Sequence, residues 1–479
     1  MPRAAPHSKF GPPPRHHLRL ELPGPALPLA AVAILLATAC SRGGPGRQAP
    51  PGDGEAGRAH TDSSAPARAD VDAGAVRVPD ADLEAHAPAA EAATDAAGAS
   101  DGSEPGDEAE TAAQAPPGLE LLPKAKWLWR QAACGGSPAP AEPPPSAIVA
   151  DHCRRLATMI ESYRSGWMGR AGPFFRKIVP ADVPHVVVYP FGGADLLTAL
   201  VVFPDAEALT TLGLEPAGDL RVVADLDEPD MRTALDRLRQ SLLRLFNVNH
   251  SRTAEMAVSM RKGVFPTHLA FSFVALAVHG FEPVSLRYFA LEPDGAVRYL
   301  EAADLPALDE PIDNDTDRLR HNQALGNVEL RYRRADGSDP AVHVYRHICG
   351  DLSDTALAQD DRILRHLESL GDVAGLVKAA SFLLWSGSFE RVERWLAERV
   401  VWQVSDSTGL DPQTAEAAGL EQETWGSFAG PILIQSPRND LVRLWRSRPY
   451  QPMPFVFGYP DAEHRGHLVV TRRPTPTTP

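Results

Sequence analysis

The segment HVVVYPFGGADLLTALVVFP, residues 185–204, decides how the folded part of this chain is read. Its first apolar run ends at Pro190, Gly192 and Gly193 follow, and Asp195 precedes a second apolar run. A short apolar run that stops at turn residues is typical of a buried strand. The segment therefore predicts strands at 185–191 and 199–204, joined by a glycine turn.

A glycine turn after a buried strand can bind a phosphate group when it opens a helix and has a basic side chain nearby. Here the nearest basic side chain is Lys177, Asp195 would repel an anion, and the Walker pattern is absent. We therefore expect the two glycines to permit a turn with positive φ and Asp195 to cap the following helix or turn. The alternative is that Tyr189 and Asp195 line a pocket at the strand end, where open α/β sheets bind ligands.

Helical periodicity is clear in two segments. Residues 146–163 predict a capped amphipathic helix, and residues 228–247 predict a second helix with a leucine-rich stripe. The stripe consists of Met231, Leu235, Leu238, Leu242, Leu245 and Phe246. Further helices are expected at 263–280, 355–370, 373–385 and 388–402.

The other strand signals lie at 283–291, 327–334, 341–348, in FVFGYP (455–460) and in HLVVTRR (467–473). The pair 327–334 and 341–348 flanks Asp336-Gly337, which favours a hairpin. Strands and helices interleave without a strict alternation, so we expect an α/β or α+β domain with a mixed sheet flanked by helices. This domain should span 119–479, as one unit or two intimate subdomains.

The N-terminus has the features of an export signal. Residues 1–25 carry four Lys or Arg residues and one acid, and the uncharged stretch ALPLAAVAILLATAC (26–40) has an apolar core that is too short to span a bilayer. Small residues precede Cys40, as in a bacterial lipobox, although the leucine usual three residues before the cysteine is here Ala37. We expect a signal peptide at 1–39 and an acyl anchor on Cys40. An ordinary signal peptide that is cleaved near Ala39 and an uncleaved N-terminal anchor remain as alternatives.

Residues 40–118 are expected to form a disordered tether. From Ser41 to Gly118 there is no Phe, Trp, Tyr or Ile and only one Leu, and 15 acids face 5 arginines. Such a segment buries too little apolar surface to offset the entropy of ordering its backbone. The chain also lacks a basic patch with interleaved aromatic residues, so we expect no nucleic-acid partner. The anchor makes the membrane the expected partner, and Ser41 favours the outer membrane because it is not the Asp that retains lipoproteins in the inner membrane.

Several segments resemble an uncharacterised family of bacterial secreted proteins and lipoproteins. They are YPFGGADLL (189–197), GLEPAG (213–218), GVFP (263–266), GDLSD (350–354), KAASFLLWSGSFERV (378–392) and VSDSTGL (404–410). The family has a Tyr-Pro-Phe-x-Gly-x-Asp turn, a Lys-Ala-Ala-Ser-(Tyr/Phe)-Leu helix and an Asp-Asp-Ser-Gly-Ile-Pro loop. The order matches over roughly 185–460, but Gly192, Ala194 and Ser407 depart from the family pattern. The resemblance implies one fold and secretion, and it implies no catalytic residue.

Two further groups of polar residues contain side chains that can bind a metal ion. Asp406, Ser407 and Asp411 could form a calcium loop, but the EF-hand spacing is missing and a plain Asx turn is favoured. His343 and His347 lie on one face of a predicted strand about 13 Å apart, too far to share an ion. Only His347 and Cys349 could share one, and these two ligands would need others from elsewhere in the chain. We therefore expect no metal and no cofactor.

Cysteine spacing predicts one disulfide. In an oxidising compartment, Cys134 and Cys153 would close a short loop through the proline-rich segment between them. With Cys40 lipidated, Cys349 is then expected to be unpaired.

Two functions follow from these features. The first is a lipid-anchored cell-envelope protein whose folded part binds a ligand, an unknown small molecule or an envelope protein, without catalysis. The second is a secreted, hydrolase-like enzyme in which Tyr189, Asp195 and Asp406 converge near the Tyr189–Asp195 turn. The sequence contains no established catalytic signature, which favours the first.

Overall fold

A computed structural model describes residues 118–136, 146–225, 227–248, 265–308, 321, 323–431 and 440–474. The predictions of a signal peptide at 1–39, of lipidation at Cys40 and of a tether at 40–118 lie outside these ranges, apart from Gly118. Within the described ranges, no helix combines the length and the apolar character that crossing a membrane requires.

The centre of the fold is a ten-stranded mixed sheet with the order β4-β3-β5-β6-β2-β1-β7-β8-β10-β9. Strands β6, β2, β1, β7 and β8 are parallel, and the outer strands are antiparallel to their neighbours. The strands are β1 Val186–Tyr189, β2 Ala208–Gly213, β3 Phe281–Leu291, β4 Val297–Tyr299, β5 Val328–Arg334, β6 His343–Cys349, β7 Val373–Val377, β8 Val400–Ser405, β9 Glu421–Gly426 and β10 His467–Arg472. This is the expected α/β fold with a mixed sheet.

Helices cover both faces of the sheet. One face carries α1 Leu122–Gln131, α2 Ala147–Tyr163, α3 Gly169–Ile178, α4 Leu196–Val202, α5 Glu228–Val248 and α6 Thr267–His279. The other carries α7 Asp354–Gln359, α8 Arg362–Ser369, α9 Glu390–Arg399, α10 Pro412–Ala417 and α11 Asp440–Ser447. Each layer buries its own apolar cluster against the strands, so the sheet has apolar side chains on both faces.

The two clearest helix predictions are confirmed. Helix α2 begins after Ser146, whose hydroxyl accepts from the backbone N–H of Val149, as an N-cap does. All six residues of the predicted stripe in α5 are buried. Strands β5 and β6 form the predicted antiparallel pair around Asp336-Gly337, where Gly337 has a φ of 70°.

Four segments differ from the prediction. Residues 199–204 lie mostly in α4 rather than in a strand; every residue of α4 is buried, and such a run has no period that separates helix from strand. Residues 373–385 contain β7 and a short 3-10 turn at Leu383–Trp385 rather than a helix. The 388–402 prediction joins α9 to the start of β8, and FVFGYP is an irregular segment whose phenylalanines pack in the core. Strands β2, β4 and β9 were not predicted.

The cysteine prediction is half right. Cys134 and Cys153 form a disulfide, with a Cα–Cα distance of 5.5 Å, which links the chain after α1 to α2. The expectation that Cys349 is unpaired is wrong, because no cysteine in the described residues is free.

Candidate functional site

The sheet has a topological switch point between β1 and β7. From β1 the chain passes through α4 to β2 on one side, and after β6 it returns to place β7 on the other side of β1. In open α/β sheets, ligands bind outside the carboxyl ends of the strands at such a point. The turns that follow β1 and β7 are therefore the first place to look for a site.

Polar residues from three parallel strands meet at this edge. Tyr189 ends β1, Asp195 follows it, Lys378 comes directly after β7 and Asp406 comes directly after β8. We call these four residues the edge cluster. All four are buried or nearly so, with side-chain exposure of 13% for Asp195 and 3% for Lys378.

Asp195 is the hub of the first half of the cluster. Its Oδ2 accepts from the Tyr189 hydroxyl at 3.0 Å and lies 2.6 Å from the ammonium nitrogen of Lys378. Its Oδ1 accepts from the backbone N–H of Thr198 at 3.2 Å, so it caps α4 as predicted. Lys378 also donates to the Thr198 hydroxyl at 2.9 Å. The carboxylate that caps α4 thus also forms an ion pair with Lys378 at the end of β7.

Asp406 holds three turns together. Its carboxylate accepts from the backbone N–H groups of Ala379 at 2.8 Å, Tyr459 at 2.9 Å and Thr408 at 2.8 Å, and from the Thr408 hydroxyl at 2.5 Å. The bonds to Thr408 form the Asx turn that the sequence favours. Asp411, the other acid of the supposed calcium loop, caps α10 instead.

Asp406 and Lys378 both pack against Gly458. A Cβ atom at position 458 would lie 2.1 Å from Oδ2 of Asp406 and 2.8 Å from Cγ of Lys378, and Gly458 has a φ of 63°. Only glycine fits between these side chains. The three candidates named from the sequence, Tyr189, Asp195 and Asp406, therefore lie at one edge, but Asp406 belongs to a separate hydrogen-bonded group.

Burial and charge shift the ionisation of this region. Burial, followed by the nearby Asp195 carboxylate, holds the pKa of Tyr189 well above its ordinary value, so its hydroxyl keeps its proton and donates. Glu215, which follows β2, has a pKa raised to about 7 by burial. A Cβ atom at Gly213 would lie 3.1 Å from the Glu215 carboxylate and 3.0 Å from Gly193, so Glu215 lies beside the glycine turn.

The expectation that both glycines of the turn have positive φ is met at Gly193 but not at Gly192. Gly193 has a φ of 49°, but the other left-handed residue is Phe191, with a φ of 60°. Gly192 is required for space, since a Cβ atom there would lie 2.5 Å from the ring of Tyr189. The turn thus fits closely against the edge cluster, and no phosphate cradle is needed to explain its glycines.

The turn after β7 is more strained. Ala379, Ser381 and Phe382 have φ values of 54°, 53° and 60°. Left-handed backbone costs a non-glycine residue roughly 1–2 kcal/mol. Ser381 is exposed, and its hydroxyl lies 3.1 Å from the hydroxyl of the buried Tyr459.

Lys378 is the residue that the sequence reasoning missed as a site residue. The signal was present, because Lys378 is a charged residue directly after the apolar run 373–377 and it opens the KAAS motif. The prediction of a helix at 373–385 places Lys378 inside a helix, whereas in the structure it follows the end of strand β7. With β7 in place, Lys378 lies at the same edge as Asp195.

His347 of β6 belongs to a second buried polar group. Thr211 bonds both Tyr345 at 2.9 Å and Nδ1 of His347 at 3.1 Å, and Nε2 of His268 lies 2.8 Å from the Tyr345 hydroxyl. His343 bonds the carbonyl of Ala206. The described residues contain no cluster of three or more His, Cys, Asp or Glu that could hold a metal ion.

Two surface cavities are prominent, and neither is lined by the edge cluster. One, of about 510 Å³, lies among α7, α8 and α9. The other, of about 420 Å³, lies between α2 and α5. The edge cluster is a buried, hydrogen-bonded group beneath two turns that contain left-handed residues.

Comparison of the chain with protein-family models, with curated proteins and with solved structures finds no match.

Proposed function

We propose that this chain is a lipid-anchored cell-envelope protein whose α/β domain binds a small polar ligand without catalysis. The ligand site in this proposal is the edge formed by the turns after β1 and β7. Export and the anchor follow from the N-terminal signal and Cys40. The edge follows from the strand order and from the conformation of its turns.

One observation carries the ligand site. Four of the six non-glycine residues with positive φ in the described ranges, Phe191, Ala379, Ser381 and Phe382, lie on the two turns that flank the switch point. A left-handed backbone is unfavourable for a non-glycine residue, so it persists only where the surrounding structure holds it in place. Such residues concentrate at binding and active sites. The edge cluster supplies that support, since Asp406 bonds the N–H of Ala379 and Asp195 bonds Lys378.

The charges at this edge favour a neutral or cationic ligand. Asp195 and Asp406 carry two negative charges, and Lys378 carries one positive charge. Their sum is −1, so an anion would meet net repulsion. The exposed hydroxyl of Ser381 supplies a polar contact, and the half-buried ring of Phe191 supplies an apolar one. This combination suits a polyol, a sugar or an amino-acid derivative.

The enzyme alternative has less support. A general base must have a free lone pair within reach of its substrate. Asp406 is 1% exposed and accepts four hydrogen bonds, and the Asp195 carboxylate accepts from Tyr189 and Thr198 and pairs with Lys378. The Tyr189 hydroxyl donates to Asp195. These bonds suit residues that support a binding surface.

Ser381→Gly tests the ligand site. Full-length protein in phosphatidylcholine nanodiscs is screened with sugars, polyols and amino-acid derivatives, and the thermal midpoint is followed by tryptophan fluorescence. We expect a hit to raise the midpoint of the wild type by several degrees. Glycine relieves the left-handed cost at position 381 but removes the hydroxyl, so the variant should be at least as stable and should lose most of the ligand-induced shift.

The control is Ser338→Gly, an exposed serine in the β5–β6 loop. It should keep the full ligand shift. A Ser381→Gly variant with an undiminished shift would contradict the proposed site, as would a wild type that responds to none of these ligands.

A further inference from the structure

A second site lies away from the edge cluster, in the groove between α2 and α5. Its floor consists of Tyr163, Trp167 and Phe246, and Met159 and Leu243 form its sides. Its volume is about 420 Å³, within the 300–1,000 Å³ that is usual for small-molecule sites. We name this feature the aromatic groove.

The floor is rigid. The rings of Tyr163 and Trp167 stack with centroids 5.7 Å apart, and those of Tyr163 and Phe246 stack at 4.8 Å. The indole N–H of Trp167 donates to the carbonyl of Val456 at 2.6 Å, which fixes its orientation. A surface that is already ordered loses little entropy when a ligand covers it.

The backbone beneath the groove is unusual. Residues Arg164–Met168 form a π-helical turn between α2 and α3. Such turns are rare and occur frequently at functional sites. Tyr163 directly precedes this turn and Trp167 lies within it, so the irregular turn belongs to the floor of the groove.

The lip exposes an apolar side chain that the core does not use. Leu243 is 45% exposed, whereas its neighbours in the chain Leu242 and Leu245 are buried. It lies outside the core stripe of α5. A leucine exposed beside an aromatic floor provides apolar surface for a ligand.

The charge at the rim is positive. Arg155 lines the groove and is 64% exposed, and both Arg154 and Arg155 pair with the single Asp151 at 2.9 Å. These three groups sum to +1. An exposed pair of this kind contributes little to stability, so Arg155 can turn to a ligand carboxylate at little cost.

We propose that the aromatic groove binds a small amphipathic carboxylate, with its apolar body over the rings and its carboxylate at Arg155. A medium-chain fatty acid has this chemistry. The groove has the volume of roughly fourteen liquid water molecules, and octanoate, with about ten non-hydrogen atoms, fits within it. The site is independent of the ligand proposed at the edge cluster.

Octanoate tests this proposal. Full-length protein in phosphatidylcholine nanodiscs is titrated with sodium octanoate, and the quenching of tryptophan fluorescence is corrected with empty discs. We expect saturable binding to the wild type. Leu243→Glu adds a negative charge and removes apolar contact at the lip, so it should weaken binding by about tenfold or more.

The matched control is Leu308→Glu, because Leu308 is also exposed, at 59%, and is not among the groove residues. Its binding should equal that of the wild type. Arg155→Gln should weaken octanoate about tenfold and leave octan-1-ol unchanged. The proposal is overturned if the wild type shows no saturable binding or if Leu243→Glu binds as the wild type does. Equal binding of octanoate and octan-1-ol by the wild type would overturn the assignment of a carboxylate.

Discussion

The ammonium nitrogen of Lys378 lies 2.6 Å from Oδ2 of Asp195, although 183 residues separate them in the chain. Each follows one of the two strands that flank the switch point, and the pair ties the first helix after β1 to the end of β7. Their contact converts a local helix cap into a long-range link. It makes the stability of the whole central sheet sensitive to one carboxylate.

Asp195→Ala should therefore cost more than the loss of a helix cap. It removes the Asp195 carboxylate from its contact with the buried Lys378, and the removal of one partner of a buried pair typically costs 3–5 kcal/mol, against about 1 kcal/mol for a cap. We expect a loss of about 3 kcal/mol in the free energy of unfolding, measured by urea denaturation. The double variant Asp195→Ala/Lys378→Met also removes the buried ammonium group of Lys378 and should be more stable than Asp195→Ala alone. A loss below about 1 kcal/mol in the single variant would mean that the pair is solvated.

Gly192→Ala should destabilise the turn for a steric reason. The new Cβ atom would lie 2.5 Å from the ring of Tyr189, which is fully buried and cannot retreat. Overpacking of this kind costs about 1–3 kcal/mol. Gly166→Ala is the matched control, because a Cβ atom there meets no heavy atom within 4 Å. It should leave the unfolding free energy unchanged or raise it by up to about 1 kcal/mol, so equal effects of the two substitutions would refute the steric argument.

The Cys134–Cys153 disulfide should stabilise the junction of α1 and α2. It closes a loop with a sequence separation of 19, for which the entropy of the unfolded chain predicts about 3 kcal/mol. We expect Cys134→Ala/Cys153→Ala to lose about that amount in urea denaturation. An unchanged midpoint in the double variant would show that the hydrogen bond from His152 to the carbonyl of Ala132 already holds the junction.

Elements with a local signal were predicted correctly from the sequence. Helix α2 has its capping Ser146, α5 has a stripe of period 3.6, and the β5–β6 hairpin has Asp336-Gly337 at its turn. Residues 196–202 and 373–377 carry no periodic signal, because both segments are buried on all sides and almost entirely apolar. A buried helix and a buried strand then look alike in sequence.

The candidate site divides in the same way. Tyr189 and Asp195 are six residues apart, so one turn brings them together and the sequence could suggest the pair. Lys378 joins them only through the strand order, which depends on which strands pair across the whole domain. Ala379 and Ser381 adopt positive φ although neither is a glycine, so the sequence contains no signal for this backbone conformation. The ion pair and the strained turn therefore became visible only in the structure.

The proposed acyl anchor predicts the chemical state of Cys40. The mature N-terminus should begin at Cys40 with a diacylglyceryl group on its sulfur, and the protein should fractionate with membranes. Cys40→Ala should abolish the lipid, whereas Cys349→Ala should retain it as the control. Mass spectrometry of the N-terminal peptide decides the matter. Recovery of an intact Met1, or of a Cys40 peptide in disulfide linkage, would refute lipidation.

His347 should make the stability of the domain depend on pH. Its Nε2–H donates to the carbonyl of Glu215 at 2.7 Å, its Nδ1 bonds Thr211, and burial lowers its pKa to about 4. In the unfolded chain this group takes a proton below about 6.5, whereas in the folded chain it stays neutral until about pH 4. The stability that it contributes is therefore fully present above pH 6.5 and is lost as the pH falls to 4. A shift of this size is worth about 3 kcal/mol.

Glu215 acts in the opposite direction, since its pKa is raised to about 7 and its contribution is present at low pH and lost as the pH rises through 7. A comparison of the wild type with His347→Gln isolates the contribution of the His347 imidazole, because the Glu215 carboxyl group titrates in both proteins. We expect the wild type to lose about 3 kcal/mol more than His347→Gln between pH 6.5 and 4, measured by urea denaturation at constant ionic strength. Parallel curves for the two proteins would mean that the imidazole becomes protonated in the folded state at its ordinary pH.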